Sequence, residues 1–342
     1  LLMAVAPRLR GQELQQAGET ALQAAIRVAL NLDNSIFPVQ GPPGAGKTHT
    51  GARMIHALAR QNKTIGITAN SHKVIRKLLD EVIIAAGEPG QHVRCAQKVS
   101  DKEDHLPDLE FITDNQDFLD ALQADRSVGG ATAWLWARAD AAQCVDVLFI
   151  DEAAQMSLAN VLAVSQAADS VVLLGDPRQL EQPIQGSHPD GVDVSALDHL
   201  LGSHATVPPD RGLFLAETWR LHPSICAFNS ELFYESRLHS RAGLEGQEVR
   251  STGTVRGAGL RYLPVDHAGN QSSSREEVEK IGDLVAEILR SGTTWVDRLG
   301  VEATLELNDI LIIAPYNAQV FALQERLPGA RIGTVDKFQG QE

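Results

Sequence analysis

Four short runs along the chain are apolar at nearly every position: SIFPVQ (35–40), TIGITAN (64–70), VDVLFID (145–151) and SVVLLGD (170–176). A strand without alternation is one buried on both faces, as in a parallel sheet covered by helices. The segments between these runs carry helical spacing instead. HTGARMIHALARQ (49–61) sets Ala52, Ile55, Leu58 and Ala59 on one face, and HKVIRKLLDEVIIAAG (72–87) does so with Val74, Leu78 and Ile83. Strand, loop and helix in repetition imply right-handed βαβ units, hence an α/β fold with a doubly wound sheet. Pro38 interrupts the first run, and proline cannot donate to a ladder, so a local irregularity is expected there.

Residues 88–130 break the pattern. SDKEDHLPDLEFITDNQDFLDALQAD is acidic and poor in strand formers, which predicts an insertion on the first domain, a solvated elaboration that is helical towards its end. Pro- and Gly-rich stretches follow at PIQGSHPDG (183–191) and ATVPPDRG (205–212). A second α/β set then begins, with strands expected in GLFLAET (212–218), GLRYLPVD (259–266), DILIIAPY (309–316) and ARIGTVD (330–336). Between them REEVEKIGDLVAEILRSG (275–292) carries Val278, Ile281, Leu284, Val285 and Ile288 on one helical stripe. Two domains are therefore expected, 1–210 and 211–342.

Composition narrows the class without naming a reaction. The chain has 342 residues, 43% hydrophobic and 22% charged, an ordinary globular balance for two domains. No apolar run nears the roughly 18 residues of a membrane span, and no secretory signal opens the chain. Cys95, Cys144 and Cys226 are far apart and lack metal spacing, which suits a reducing cytoplasm. The net charge of −14 excludes gripping duplex DNA by bulk charge, so any nucleic acid must lie in a local groove. The chain opens on Leu1 and stops inside a motif at Glu342, so a fragment of a longer protein is expected.

The chemistry gathers where strands end. Gly41, Gly46, Lys47 and Thr48 satisfy the phosphate-loop pattern GxxxxGK[ST], between a strand and a helix. There Gly41, Pro42, Pro43, Gly44, Ala45, Gly46, Lys47, Thr48 and His49 would enclose the phosphates of ATP, the glycines letting backbone N–H groups curl around the phosphate oxygens. Lys47 would reach the β- and γ-phosphates, and Thr48 would ligate Mg²⁺. VLFIDEAAQ (147–155) ends a buried strand in two carboxylates: Asp151 suits the Mg²⁺ shell and Glu152 suits the activation of water. In LLGDPRQLEQP (173–183), Gln179 is a candidate sensor of the γ-phosphate. In ETWRLHPSICAFNSELFY (217–234), Arg220 at a helix start is a candidate arginine finger, the alternative being a helix-surface arginine. Gly333, Thr334, Asp336, Gln339, Gly340 and Glu342 cluster after a strand, where open α/β folds bind ligands.

In this order the motifs GPPGAGKT, TANSHKVIRKLL, DEAAQ, GDPRQLEQP, TWRLHP, APYNAQV and GTVDKFQGQE resemble superfamily-1B helicases of the nonsense-mediated-decay and DNA-replication helicase/nuclease group. ANSHK, TAWLWA and SLANVLAVSQAA look most like bacterial proteins that join a RecB-like nuclease to such a helicase. The resemblance implies two RecA-like P-loop NTPase domains with parallel sheets, the second incomplete at its C-terminus. It implies ATP with Mg²⁺ between the domains, 5′-to-3′ translocation on single-stranded DNA, with RNA as the alternative, and a nuclease domain in the same full-length chain. It gives Glu342 a contact with the nucleotide, and Thr68, Asn70, Ser71 and Thr334 contacts with nucleic-acid phosphates. His72 and Trp134 would either stack on the bases or pack within the fold. Gln23 is the nearest match to the family's adenine-reading glutamine, one position out of register. The family's last arginine-bearing motif would follow Glu342, so this piece alone is expected to turn ATP over poorly. A nucleotide-switched binding module without catalysis is the reading from another class.

Overall fold

A computed structural model describes residues 1–10, 13–87, 92–101, 106–124, 127–179, 194–290 and 292–338. The chain divides into two compact units. The first comprises Leu1–Trp219 and Asn229–His239, the second Arg220–Phe228 and Ser240–Glu342.

The first unit is built on eight strands: β1 (Ile36–Gln40), β2 (Ile65–Thr68), β3 (Cys95–Lys98), β4 (Leu109–Ile112), β5 (Val128–Gly130), β6 (Val145–Ile150), β7 (Ala168–Gly175) and β8 (Leu213–Phe214). They form one sheet in the order β4-β3-β5-β2-β6-β7-β1-β8, with every pairing parallel. Helices α1 (Ala21–Asn31), α2 (Lys47–Ala59) and α3 (His72–Ala85) share a core with Phe37, Val39, Ile65, Ile67, Val147 and Phe149. Helices α4 (Asn115–Ala124), α5 (Ala133–Trp136), α6 (Leu158–Ser165) and α7 (Ala196–Leu201) share another with Leu148, Ile150, Val171 and Leu173. Neighbouring residues of β6 thus enter opposite cores, which is why its sequence shows no alternation.

Four expectations change here. Residues 88–130 are no insertion: they supply β3, β4 and β5. These strands read poorly because CAQK and LEFI are short and mixed, and VGG has almost no side chains. A Cβ on Gly129 would lie 2.4 Å from Leu122 Cδ2, and one on Gly130 would lie 2.5 Å from Ile75 Cγ2. The covering helices fill the space that strand side chains would otherwise occupy.

The boundary also moves. Leu213 and Phe214 pair with Val39 and Gln40, so 211–219 belongs with the first unit rather than opening the second. Gly212 lets that segment approach β1: a Cβ there would lie 2.5 Å from the Pro38 carbonyl oxygen. Nor does Pro38 disturb β1, whose register with β7 runs unbroken from Ile36↔Val171 to Gln40↔Gly175. The Gln40 carbonyl accepts from Leu215 N and the Gly41 amide donates to Gly175, so even-numbered positions of β1 face β8 and odd ones face β7. Pro38 therefore faces β8, one residue before that ladder begins at Val39↔Leu213.

Short strands β9 (Glu217–Thr218) and β10 (His239–Ser240) pair, and helix α8 (Pro223–Phe233) lies between them in sequence. The second unit has an antiparallel sheet of β11 (Glu248–Arg250), β12 (Thr294–Val296) and β13 (Glu302–Thr304). It also has a parallel pair, β14 (Leu311–Ile313) and β15 (Arg331–Gly333), with helices α9 (Arg275–Arg290), α10 (Asn317–Arg326) and α11 (Val335–Phe338). Val278 and Val285 of α9 pack with Val320 and Leu323 of α10 against Ile312 and Ile332. GLRYLPVD, expected as a strand, is irregular, with Leu260 and Tyr262 exposed. Pro264 removes a donor from it, and no described strand pairs with it.

Candidate active site

The sheet order brings three chemistry-bearing strand ends together. β7 lies between β1 and β6, so the loops after Gln40, Ile150 and Gly175 leave the same edge of the sheet side by side. This is the carboxyl edge, where open α/β sheets bind ligands.

The loop after β1 begins with Gly41, whose amide donates to the Gly175 carbonyl at 2.9 Å. Gly44 and Gly46 have φ of +73° and +81°, a region that glycine enters at no steric cost, and Gly46 caps α2. The loop's carbonyls turn into the protein. Pro42 O accepts from Ala45 N at 3.0 Å, Pro43 O from Thr218 Oγ1 at 2.9 Å and Gly44 O from Trp219 N at 2.9 Å. At the opening of α2, the first amides lack an intrahelical acceptor and add positive potential. Lys47 folds back over Gly41, where a Cβ would lie 2.3 Å from Lys47 Cγ, and its Nζ donates to the Gly41 carbonyl at 2.7 Å.

Asp151 follows β6 and is only 4% exposed. Its amide donates to Thr68 O at 2.9 Å, and its Oδ1 accepts from the Glu152 amide at 2.9 Å. Burial, and then the charge of Glu152, push its pKa up to about 6, against the opposing pull of that amide, Lys47 and Lys77. Glu152 has φ +50° and ψ +43°, a left-handed backbone that costs a non-glycine residue energy. Close packing holds this turn. A Cβ on Gly175 would lie 2.9 Å from Ala154 N and 3.1 Å from Ala153 N, so only glycine lets the turn after β6 press on the end of β7.

Asp176, next in the chain, is fully buried, and its carbonyl accepts from the Gln179 amide at 3.1 Å. Gln179 is half-buried in the resulting turn. The structure thus gathers Lys47, Thr48, Asp151, Glu152 and Gln179 along one edge of one sheet. Arg220 is not among them: it belongs to the second unit and stands three residues before α8 rather than at its start. Its carbonyl accepts from Gln247 Nε2 at 3.1 Å.

Gln23 is exposed and already occupied. Its Oε1 accepts from the Thr20 amide at 2.9 Å, while the Gln23 amide donates to Thr20 Oγ1 at 3.3 Å. This capping box of α1 was legible as the T-x-x-Q pattern TALQ. Gly340 and Glu342 lie outside the described residues.

The nucleic-acid candidates divide. Asn70, Ser71 and His72 follow β2, and Trp134 follows β5 beside it. Asn70 donates to the Gln155 carbonyl at 2.9 Å, and Ser71 Oγ caps α3 by accepting from Val74 N at 3.3 Å. His72 is half-buried, and its Nδ1 has no partner among the described residues. Thr68 is wholly buried, so its hydroxyl is not on the surface. Trp134 is 88% exposed, which rules out packing within the fold. Trp136 is the buried one, donating from Nε1 to Ile67 O at 3.1 Å and Ala131 O at 3.0 Å. Thr334 lies in the second unit, where its carbonyl accepts from Lys337 N at 3.1 Å.

Sequence reasoning missed Tyr234, Asp176 and Gly175. Gly175 sits at the end of a recognised strand, whereas the contact of Tyr234 with Asp176 spans 58 positions and left no local signal.

Two family models, each described as an AAA domain, match this chain, one over residues 20–192 and the other over 192–342. The DNA polymerase alpha-associated DNA helicase A of Schizosaccharomyces pombe is 24% identical over 393 residues, covering 97% of this chain and 57% of that protein. The 5′-3′ DNA helicase ZGRF1 of Mus musculus is 29% identical over 212 residues, covering 57% of this chain and 10% of that protein. The chain therefore spans little more than half of the first relative's length and a tenth of the second's. A solved Arterivirus nonstructural protein 10 helicase in complex with DNA aligns with TM-score 0.38 and 17% identity over 64% of this chain and 43% of that one, too loosely for any structural conclusion.

Proposed function

The chain belongs to the AAA-domain family, and on that premise we propose that it is an ATP-hydrolysing motor on nucleic acid, a 5′-to-3′ helicase or translocase acting on single-stranded DNA. One observation carries the reading: a phosphate loop, the adjacent acids Asp151 and Glu152, of which Asp151 is buried, and the Gln179 turn leave three adjacent strands of one sheet.

In this reading the loop Gly41–His49 encloses the phosphates, which the backbone amides from Gly46 to His49 at the opening of α2 and the Lys47 ammonium hold. Thr48 and Asp151 would hold Mg²⁺. The donor set fits, since a buried carboxylate that is costly to ionise gains from a cation beside it. When bound, the ion neutralises charge developing on the phosphoryl oxygens. Glu152 orients the attacking water and accepts its proton, and the strained backbone at this residue fixes where its carboxylate points. Gln179 contacts the γ-phosphate, and Arg220 keeps the arginine-finger role that the motif series implies. Gly340 and Glu342 are nucleotide contacts on the motif series alone.

Asn70, Ser71, His72 and Thr334 contact the backbone of the bound strand, and Trp134 offers its exposed ring to a base. DNA and the 5′-to-3′ direction are supported by the names of the relatives above, and by the motif series. In the intact protein the motor feeds a RecB-like nuclease in the cytoplasm. Among the described residues no helix is long and apolar enough to cross a membrane.

The test is phosphate release by the intact protein with poly-dT, poly-U or neither. Stimulation by poly-dT alone is expected. Stimulation by poly-U alone would move the substrate to RNA, and silence in all three would leave only a binding module.

A further inference from the structure

One buried polar cluster lies beside the candidate site without belonging to it. Asp176 follows β7 with 0% exposure, and among the described residues its carboxylate has three donors: Tyr234 OH to Oδ2 at 2.7 Å, the Arg178 amide to Oδ1 at 3.2 Å and Gln40 Nε2 to Oδ1 at 3.4 Å. Gln40 is the last residue of β1, directly before the phosphate loop. It is itself clamped, its Oε1 accepting from Val207 N at 2.7 Å and its Nε2 donating to Ala205 O at 3.2 Å. Every contact in the cluster lies within the first unit.

We infer that Tyr234 is a positioning residue for the Asp176–Gln179 turn, acting through Asp176; the inference rests on the ATPase reading above for its link to catalysis. A buried carboxylate must be satisfied or it will move or take up a proton. Of its three donors, Tyr234 makes the shortest contact, and hydrogen bonds to charged groups are the strong ones. The same carboxylate fixes the Arg178 amide, and the Asp176 carbonyl fixes the Gln179 amide, so whatever holds Asp176 sets the turn that presents Gln179. Burial, and next the neighbouring Asp176 charge, raise the Tyr234 pKa, so the phenol remains a donor. The ring is held by packing on Phe214 of β8, with centroids 6.1 Å apart, so the hydroxyl is aimed from a rigid base.

The experiment compares the intact wild type with Tyr234→Phe, Asp176→Asn and the double variant. It reads amide hydrogen exchange at 176–179, and kcat and KM for ATP. For Tyr234→Phe, exchange at Arg178 and Gln179 should rise about tenfold and kcat should fall about tenfold, the loss of one hydrogen bond to a charged group. KM for ATP should stay within about twofold, since the phosphate loop is untouched. The double variant should be no worse than Asp176→Asn alone. Unchanged exchange at 178–179, or exchange that rises equally throughout the chain with kcat intact, would overturn the inference. If the wild type hydrolyses no ATP, a rise confined to 176–179 upholds the positioning role while the motor reading falls. Should Tyr234→Phe not fold, Asp176→Asn asks the same question from the other partner, and the same local rise, or its absence, decides.

Discussion

At the scale of single residues, Asp151 shows how a catalytic edge is stored in a fold. Its folded pKa, near 6, lies above the value of an unfolded aspartate, so above pH 6 the native state holds a buried charge at a cost. As pH falls from 6 towards the unfolded aspartate's value near 3.8 the native carboxyl takes up its proton first, and this penalty shrinks until it vanishes below both values. Asp151→Asn should therefore stabilise the nucleotide-free protein by on the order of 1–3 kcal/mol at pH 7.5, with the advantage fading by pH 5. Thermal unfolding at the two pH values checks it, and an equal effect at both would count against the account. Gln23 makes a different point. Its amide and Oε1 are committed to the cap of α1, so Gln23→Ala should cost about 0.5–1 kcal/mol and leave the preference for ATP over GTP unchanged. A lost base preference in competition binding would return Gln23 to the adenine.

At the scale of elements, legibility followed burial. β1, β2, β6 and β7 were readable because both faces are covered, which leaves runs such as VLFI and VVLL. The loops after β1 and β6 were readable because glycine spacing and paired acids are chemical rather than structural signals. β3, β4 and β5 were not: CAQK and LEFI mix buried apolar residues with polar ones over only four positions, and over the glycines of β5 the space is filled by α3 and α4. β8 was assigned to the wrong unit because two residues carry no topology; only the Gly212 approach to Pro38 fixes where they go. β5 offers a sharp test. Gly129→Val raises strand propensity, yet it drives a side chain into Leu122 and Phe118, with Cβ contacts of 2.4 and 2.8 Å. It should destabilise by about 2 kcal/mol or more, measured by urea unfolding; a neutral or stabilising result would mean β5 is not packed between those helices. Gly282 of α9 differs: a Cβ there would lie 2.6 Å from Arg326 Cζ, the far end of a flexible side chain that can shift. That guanidinium pairs with Glu279 at 3.0 Å and Asp283 at 3.2 Å.

At the scale of the whole molecule, the net charge of −14 and the clustered strand-end chemistry point the same way. On the proposed function, affinity for nucleic acid comes from local groups such as Asn70, Ser71 and Trp134 rather than from a general positive field. Binding to single strands should then fall less steeply with salt than for a basic protein of the same size. The central claim is hydrolysis driven from the edge shared by β1, β7 and β6. It is tested most directly by steady-state phosphate release from the intact protein with single-stranded DNA, wild type beside Glu152→Gln. The account predicts a fall in kcat of about 100-fold or more with nucleotide binding retained. Equal rates in the two proteins would contradict it.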